Sequence, residues 1–128
     1  MNFILYGCYN DTQTQMVICA ANNDKDCITK LLDNGADING HGKEGVSPFY
    51  AALKNKNFTV ADVFVDRGIN LYGSSEKKSY LMLLINFENY EAIEYLLKAG
   101  YKLKEGSVEM ELINKSNNDR LQKLFMNK

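Results

Sequence analysis

Gly35, Gly68 and Gly100 each stand three residues after an apolar pair (Leu31-Leu32, Phe64-Val65 and Leu96-Leu97), at intervals of 33 and 32 residues. Self-similarity at such a period marks a chain built of repeated units, each too small to hide its own apolar side without a neighbour. Upstream of the pairs, Cys27-Ile28, Val60-Ala61 and Ala92-Ile93 lie one helical turn earlier, so both sets fall on one face of a helix. Further back, Met16, Phe49 and Leu81 coincide in register, as do Cys19-Ala20, Ala52-Leu53 and Leu84-Ile85, marking a first and shorter helix. Thr14, Ser47 and Ser79 precede that helix as N-caps, whose hydroxyls accept from free backbone N–H groups. Pro48 follows Ser47 at the first helical position, where a missing N–H costs nothing. Each glycine suits the left-handed position that ends a helix. The unit therefore reads as cap, short helix, polar turn, longer helix, glycine and extended loop, and the fold class as all-α.

Two stretches carry a resemblance. Ser47-Pro48-Phe49-Tyr50-Ala51-Ala52 is similar to the T-P-L-H-x-A of the ankyrin repeat, and Leu31-Leu32-Asp33-Asn34-Gly35-Ala36-Asp37-Ile38-Asn39 to its L-L-x-x-G-A-D-V-N. Gly45 stands where that family keeps the glycine of its β-hairpin finger. The resemblance implies an ankyrin-repeat solenoid of stacked helix-turn-helix pairs with short β-hairpin-like fingers. One domain over residues 1–128 is expected: units 7–39, 40–72 and 73–104, an N-terminal cap 1–6 and a C-terminal cap 105–128. Departures are visible. Val17, Tyr50 and Met82 replace the usual histidine, Gln15 and Tyr80 replace the proline, and the finger from Gly73 to Lys78 is one residue short, with Lys77 near the glycine position. Ile4-Leu5-Tyr6-Gly7 repeats the register of Asn70-Leu71-Tyr72-Gly73. At the other end Leu112-Ile113, Leu121, Leu124 and Phe125 repeat the third unit, while Glu109 and Arg120 replace apolar residues. A terminal repeat needs such a polar outer face.

The chemistry of a catalyst is not legible. His41, the single histidine, lies between Gly40 and Gly42 and reads as a solvated finger residue; with three scattered cysteines it makes no closed zinc site. Cys8, Cys19 and Cys27 cannot all pair and form no C-x-x-C, which favours a reducing compartment, with Cys19 and Cys27 as packing thiols at core registers. Glu88, Glu91 and Glu94 line a polar helix face, and Glu94 with Lys98 makes an i,i+4 pair. Gly40-x-Gly42-x-x-Gly45 mimics a dinucleotide fingerprint but follows a helix exit, not a strand. No catalytic, cofactor-binding or metal residues are expected, and no cofactor. The net charge of −1 leaves no footprint for nucleic acid, and Lys98 to Lys104 has glutamates close by. No run approaches a membrane span, and the short apolar start lacks a basic flank and a cleavage site, so a cytoplasmic protein is expected.

What remains is binding. The resemblance places a partner on a concave surface made of finger tips and the exposed edge of the short helices. Carried over by register, the candidates are Asn10, Asp11, Gln13 and Asn22 in the first unit, and Lys43, Glu44, Val46, Lys54 and Asn55 in the second. In the third they are Tyr72, Glu76, Lys78, Asn86 and Phe87, with Tyr72 and Phe87 as aromatic anchors. The expected function is a non-catalytic protein-binding module, monomeric when free. Its partner would be a toxin, for an immunity or antidote protein, or a host protein, for a microbial effector. Five acids and two lysines in the first forty residues suit a basic partner. The alternative is a structural unit of a larger repeat array.

Overall fold

The computed structural model describes residues 11–42, 45–73 and 79–126. Among them lie eight helices and no strand: α1 (Thr12–Ala21), α2 (Lys25–Asp33), α3 (Pro48–Lys54), α4 (Phe58–Asp66), α5 (Tyr80–Asn86), α6 (Tyr90–Ala99), α7 (Val108–Lys115) and α8 (Asp119–Met126). They form four consecutive helix pairs, as the repeat requires. Ser47, Ser79 and Ser107 cap α3, α5 and α7 by accepting from the backbone N–H three residues on. The first unit departs from this. α1 starts at Thr12, because the Asp11 carboxylate accepts both the Thr14 N–H (2.8 Å) and the Thr14 hydroxyl (2.9 Å). A carboxylate that takes both donors outcompetes a single hydroxyl, so Thr14 sits inside the helix instead of capping it.

Gly35, Gly68 and Gly100 adopt the left-handed conformation expected of them, with φ of 98°, 86° and 116°. After each, the chain turns back: the N–H groups of Ala36, Ile69 and Tyr101 reach the carbonyls of Leu31, Phe64 and Leu96 at 3.0 Å. A second left-handed position recurs between the helices of each pair. Asn23, Lys56, Glu88 and Asn117 all hold φ between 53° and 59° without being glycine. The first finger closes through the Gly42 N–H on the Val46 carbonyl (2.8 Å). The second finger, including Lys77, lies outside the described residues.

The core runs continuously through the stack. Phe49 packs edge-on against both Phe64 (5.8 Å between centroids) and Tyr80 (5.4 Å), among the buried Met16, Ile28, Leu81 and Ile93. Tyr80 occupies the register of the family's proline and puts it to another use. Its hydroxyl shares a 2.9 Å hydrogen bond with the buried Ser47 hydroxyl one unit back, so neither polar group is stranded in the core. Units are also tied at the helix corners. The Asn57 amide donates to the carbonyls of Ala20 (2.9 Å) and Ala21 (3.0 Å), and Asn89 repeats this with Leu53 (3.4 Å) and Lys54 (3.2 Å). The Ala20 and Leu53 carbonyls also accept from the Asn23 and Lys56 N–H groups just past each helix, so the amide adds a second donor there and reaches the last helical carbonyls, Ala21 and Lys54, as well. On the outer helices Phe58 stacks on Tyr95 at 4.7 Å, and the Tyr95 hydroxyl donates to Asp62 at 2.5 Å. The last unit is attached differently: Asn118 donates to the Tyr90 hydroxyl (2.6 Å), and Arg120 lies over the Tyr90 ring.

Two side-chain expectations are corrected. Cys19 and Cys27 are not separate packing thiols: they form a disulfide across the α1–α2 corner, with Cα atoms 6.1 Å apart. At the same registers units 2 and 3 carry the fully buried Ala52 with Val60, and Leu84 with Ala92. Two cysteines at that pair of registers bring their sulfurs together. Glu94 and Lys98 form no ion pair; Glu91 instead reaches Lys56 of the preceding unit at 3.2 Å. All these charges face solvent, where an i,i+4 contact gains only tenths of a kcal/mol.

Asn57 makes no cap bond of its own, so its amide can be tested as an inter-unit tie alone. Asn57→Asp keeps size and removes the donor, setting a carboxylate against two carbonyls; chemical denaturation should show a loss of about 1–3 kcal/mol.

Candidate protein-binding surface

The corners between paired helices form a row. Asn22, Asn55 and Phe87 are the C-caps of α1, α3 and α5. The Asn57 and Asn89 amides lock these corners side by side, since each binds the carbonyls just before the neighbouring cap. Along this row Asn22, Lys54, Asn86 and Phe87 are exposed. Phe87 stands out at 72% exposure. An aromatic ring held at a helix end with so little cover is a ready anchor for a partner, since its backbone is fixed and its apolar area is still open to water.

Other candidates are engaged within the scaffold. Gln13 pairs through both amide atoms with the Asp37 backbone, donating to its carbonyl and accepting from its N–H, each at 3.0 Å. Asn55 donates to the Ala51 carbonyl at 2.8 Å. Asp11 is the α1 cap, and the Thr14 N–H and then its hydroxyl hold the carboxyl below its usual range. Val46 is exposed and its carbonyl closes the first finger. Asn10, Lys43, Glu44, Glu76 and Lys78 lie outside the described residues.

Tyr72 is 40% exposed, because it lies against the next loop. Its ring meets Tyr101 at 4.7 Å, its hydroxyl accepts from the Lys102 N–H at 3.2 Å, and the Lys104 ammonium sits 5.6 Å above the ring. It therefore braces the loop that leads into the last unit. Burial, then the charge of Glu109, then Tyr72 push the Tyr101 phenol up to about 12.

Sequence reading missed Ile18, which is 54% exposed on α1. The helical period contained the signal: Met16 and Ala20 are buried, and Ile18 lies two residues from each, on the opposite face. It also missed the apolar groove of the last unit. Leu103, Met110, Ile113 and Phe125 line a space of about 360 Å³, edged by Met126 at 77% exposure. A third feature joins the disulfide to a carboxylate: one ligand atom each from Cys19, Asp24 and Cys27 lie within 4.8 Å of one another. His41 is exposed, with Nδ1 3.3 Å from the Gly42 carbonyl.

The pattern described as ankyrin repeats, in three copies, matches residues 16–106. The chain belongs to the ankyrin-repeat family. Over 73 residues, 56% of its length, it is 33% identical to the putative ankyrin repeat protein R664 of Acanthamoeba polyphaga mimivirus, and the match spans 45% of that relative. Ankyrin repeats generally mediate protein–protein interaction and are typically non-catalytic. No helix among the described residues is long and apolar enough to cross a membrane.

Tyr101 links the loop to pH. Below pH 10 its phenol is neutral in the folded and unfolded chain alike, so its contribution is fully present. Between the ordinary value of 10.0 and about 12 the unfolded chain releases a proton that the folded chain keeps, and stability falls. Denaturation midpoints should decline as pH rises above 10, with a shallower decline in Tyr101→Phe.

Proposed function

We propose that this ankyrin domain is a non-catalytic binding module, monomeric when free, that grips a protein partner along the row of helix corners. The observation that carries the reading is Phe87, held at a fixed helix end with its ring open to solvent. Ile18, Asn22, Lys54 and Asn86 supply further apolar and polar contacts, together with the α1 cap Asp11 and the exposed Val46 of the first finger. The partner is a toxin, for an immunity or antidote role, or a host protein, for an effector role. The acidic bias of the first unit favours a basic toxin. Affinity purification from the source cell with mass spectrometry identifies the partner. In the purified complex Phe87→Ala should then weaken binding by about 2 kcal/mol or more without altering the circular dichroism. Unchanged affinity would remove Phe87 from the surface.

A second reading, a structural unit that stacks into a larger array, draws on the apolar groove of the last unit. The buried Ile113 and the partly buried Leu103 and Phe125 line that groove, and the exposed Met126 edges it. Light scattering distinguishes the two. The binding-module reading expects monomer mass at every concentration. The array reading expects concentration-dependent association that Met126→Lys abolishes.

We propose cytoplasmic residence with the leading reading. It would require the Cys19–Cys27 pair to spend much of its time as a dithiol, since cytosolic thiols are kept reduced.

A further inference from the structure

One corner of the molecule carries chemistry that stacking does not call for. At the registers where units 2 and 3 hold fully buried aliphatic side chains, unit 1 holds Cys19 and Cys27, both only half-buried. Asp24 joins them as the N-cap of α2. Backbone geometry fixes all three: the Asp24 N–H donates to the Cys19 carbonyl at 2.9 Å, and the Cys27 N–H to the Asp24 carboxylate at 3.1 Å. Two sulfurs and a carboxylate oxygen thus converge within 4.8 Å at a solvent-accessible corner.

We propose that the reduced corner formed by Cys19, Asp24 and Cys27 binds a thiophilic divalent cation of the zinc class, and that the disulfide is the closed form of the same site. Soft sulfur ligands select such an ion over magnesium or calcium, which require oxygen ligands. Three protein ligands leave one tetrahedral position for water. Opening the site requires a reductant of the dithiol or phosphine class. A dithiol gives two electrons and two protons to the Cys19–Cys27 bond, becoming a cyclic disulfide and leaving two thiols. Each thiol then releases its proton to solvent as its sulfur takes the metal. The site lies beside the Ala20 and Ala21 carbonyls that receive Asn57, so metal in this corner would also firm the contact between units 1 and 2.

The test is a titration of the full chain, reduced with a phosphine and freed of metal, with Co2+. The expected result is a near-ultraviolet thiolate-to-cobalt band that saturates at one ion per chain and is displaced by Zn2+. Cys19→Ser and Cys27→Ser should lose the band and weaken binding by about 100-fold, and Asp24→Asn by about 10-fold. Cys8→Ser should bind as wild type does, and the oxidised chain should not bind. Zn2+ should raise the melting midpoint of the reduced wild type and leave that of Cys27→Ser unmoved. Asparagine serves as an N-cap as well as aspartate does, so the Asp24→Asn result stands even where a serine variant unfolds. A reduced wild type without the band would overturn the proposal. So would a band that survives Cys27→Ser, vanishes in Cys8→Ser, persists in the oxidised chain or ignores Asp24→Asn.

Discussion

Helix pairs of this size cannot bury their apolar sides alone, and everything else in the molecule depends on the contact that each makes with the next. Hydrophobic area supplies most of the free energy of that contact but little of its register, because greasy surfaces slide. Directional bonds fix the register. The Asn57 and Asn89 amides bridge to helix-end carbonyls of the preceding unit, and the buried Ser47–Tyr80 pair ties the helix starts. Each is worth about 1 kcal/mol net, yet leaving the buried members unpaired would cost more than that. These few polar contacts therefore set the geometry from which the exposed side chains project.

That geometry sorts the surface into two populations. Gln13, Asn55 and Tyr72 look available by register but are engaged with Asp37, Ala51 and the loop at Tyr101 and Lys102. Asn22, Lys54, Asn86, Phe87 and Ile18 project from backbone that is already fixed, so a partner meeting them would not have to order the chain.

Most of the scaffold was legible because it follows from period and local chemistry. The glycine interval, the serine caps and the coincident apolar registers each have one cheap structural solution, and Ser47, Ser79, Gly35, Gly68 and Gly100 adopt it. Competition between nearby groups was not legible. Register pointed to Thr14 as a cap, but Asp11 lay within reach and binds more strongly. Nor could a single-chain pattern show that Cys19 and Cys27, eight residues apart on different helices, meet across a corner. The proline register gave no hint that Tyr80 would reach back to Ser47. For the surface, register identified where side chains emerge but not which of them the fold would occupy.

The left-handed residues between paired helices have a consequence for how such a surface can diversify. Asn23, Lys56, Glu88 and Asn117 share one backbone conformation while carrying neutral, positive, negative and neutral side chains in turn. The conformation is imposed by the hairpin of helices on either side, not by the residue that adopts it. Sites of this kind behave like pegs in a fixed board: Asn23 and Lys56 use theirs to reach Val60 and Glu91 of the next unit, while at Glu88 and Asn117 the charge can be rewritten on the same backbone.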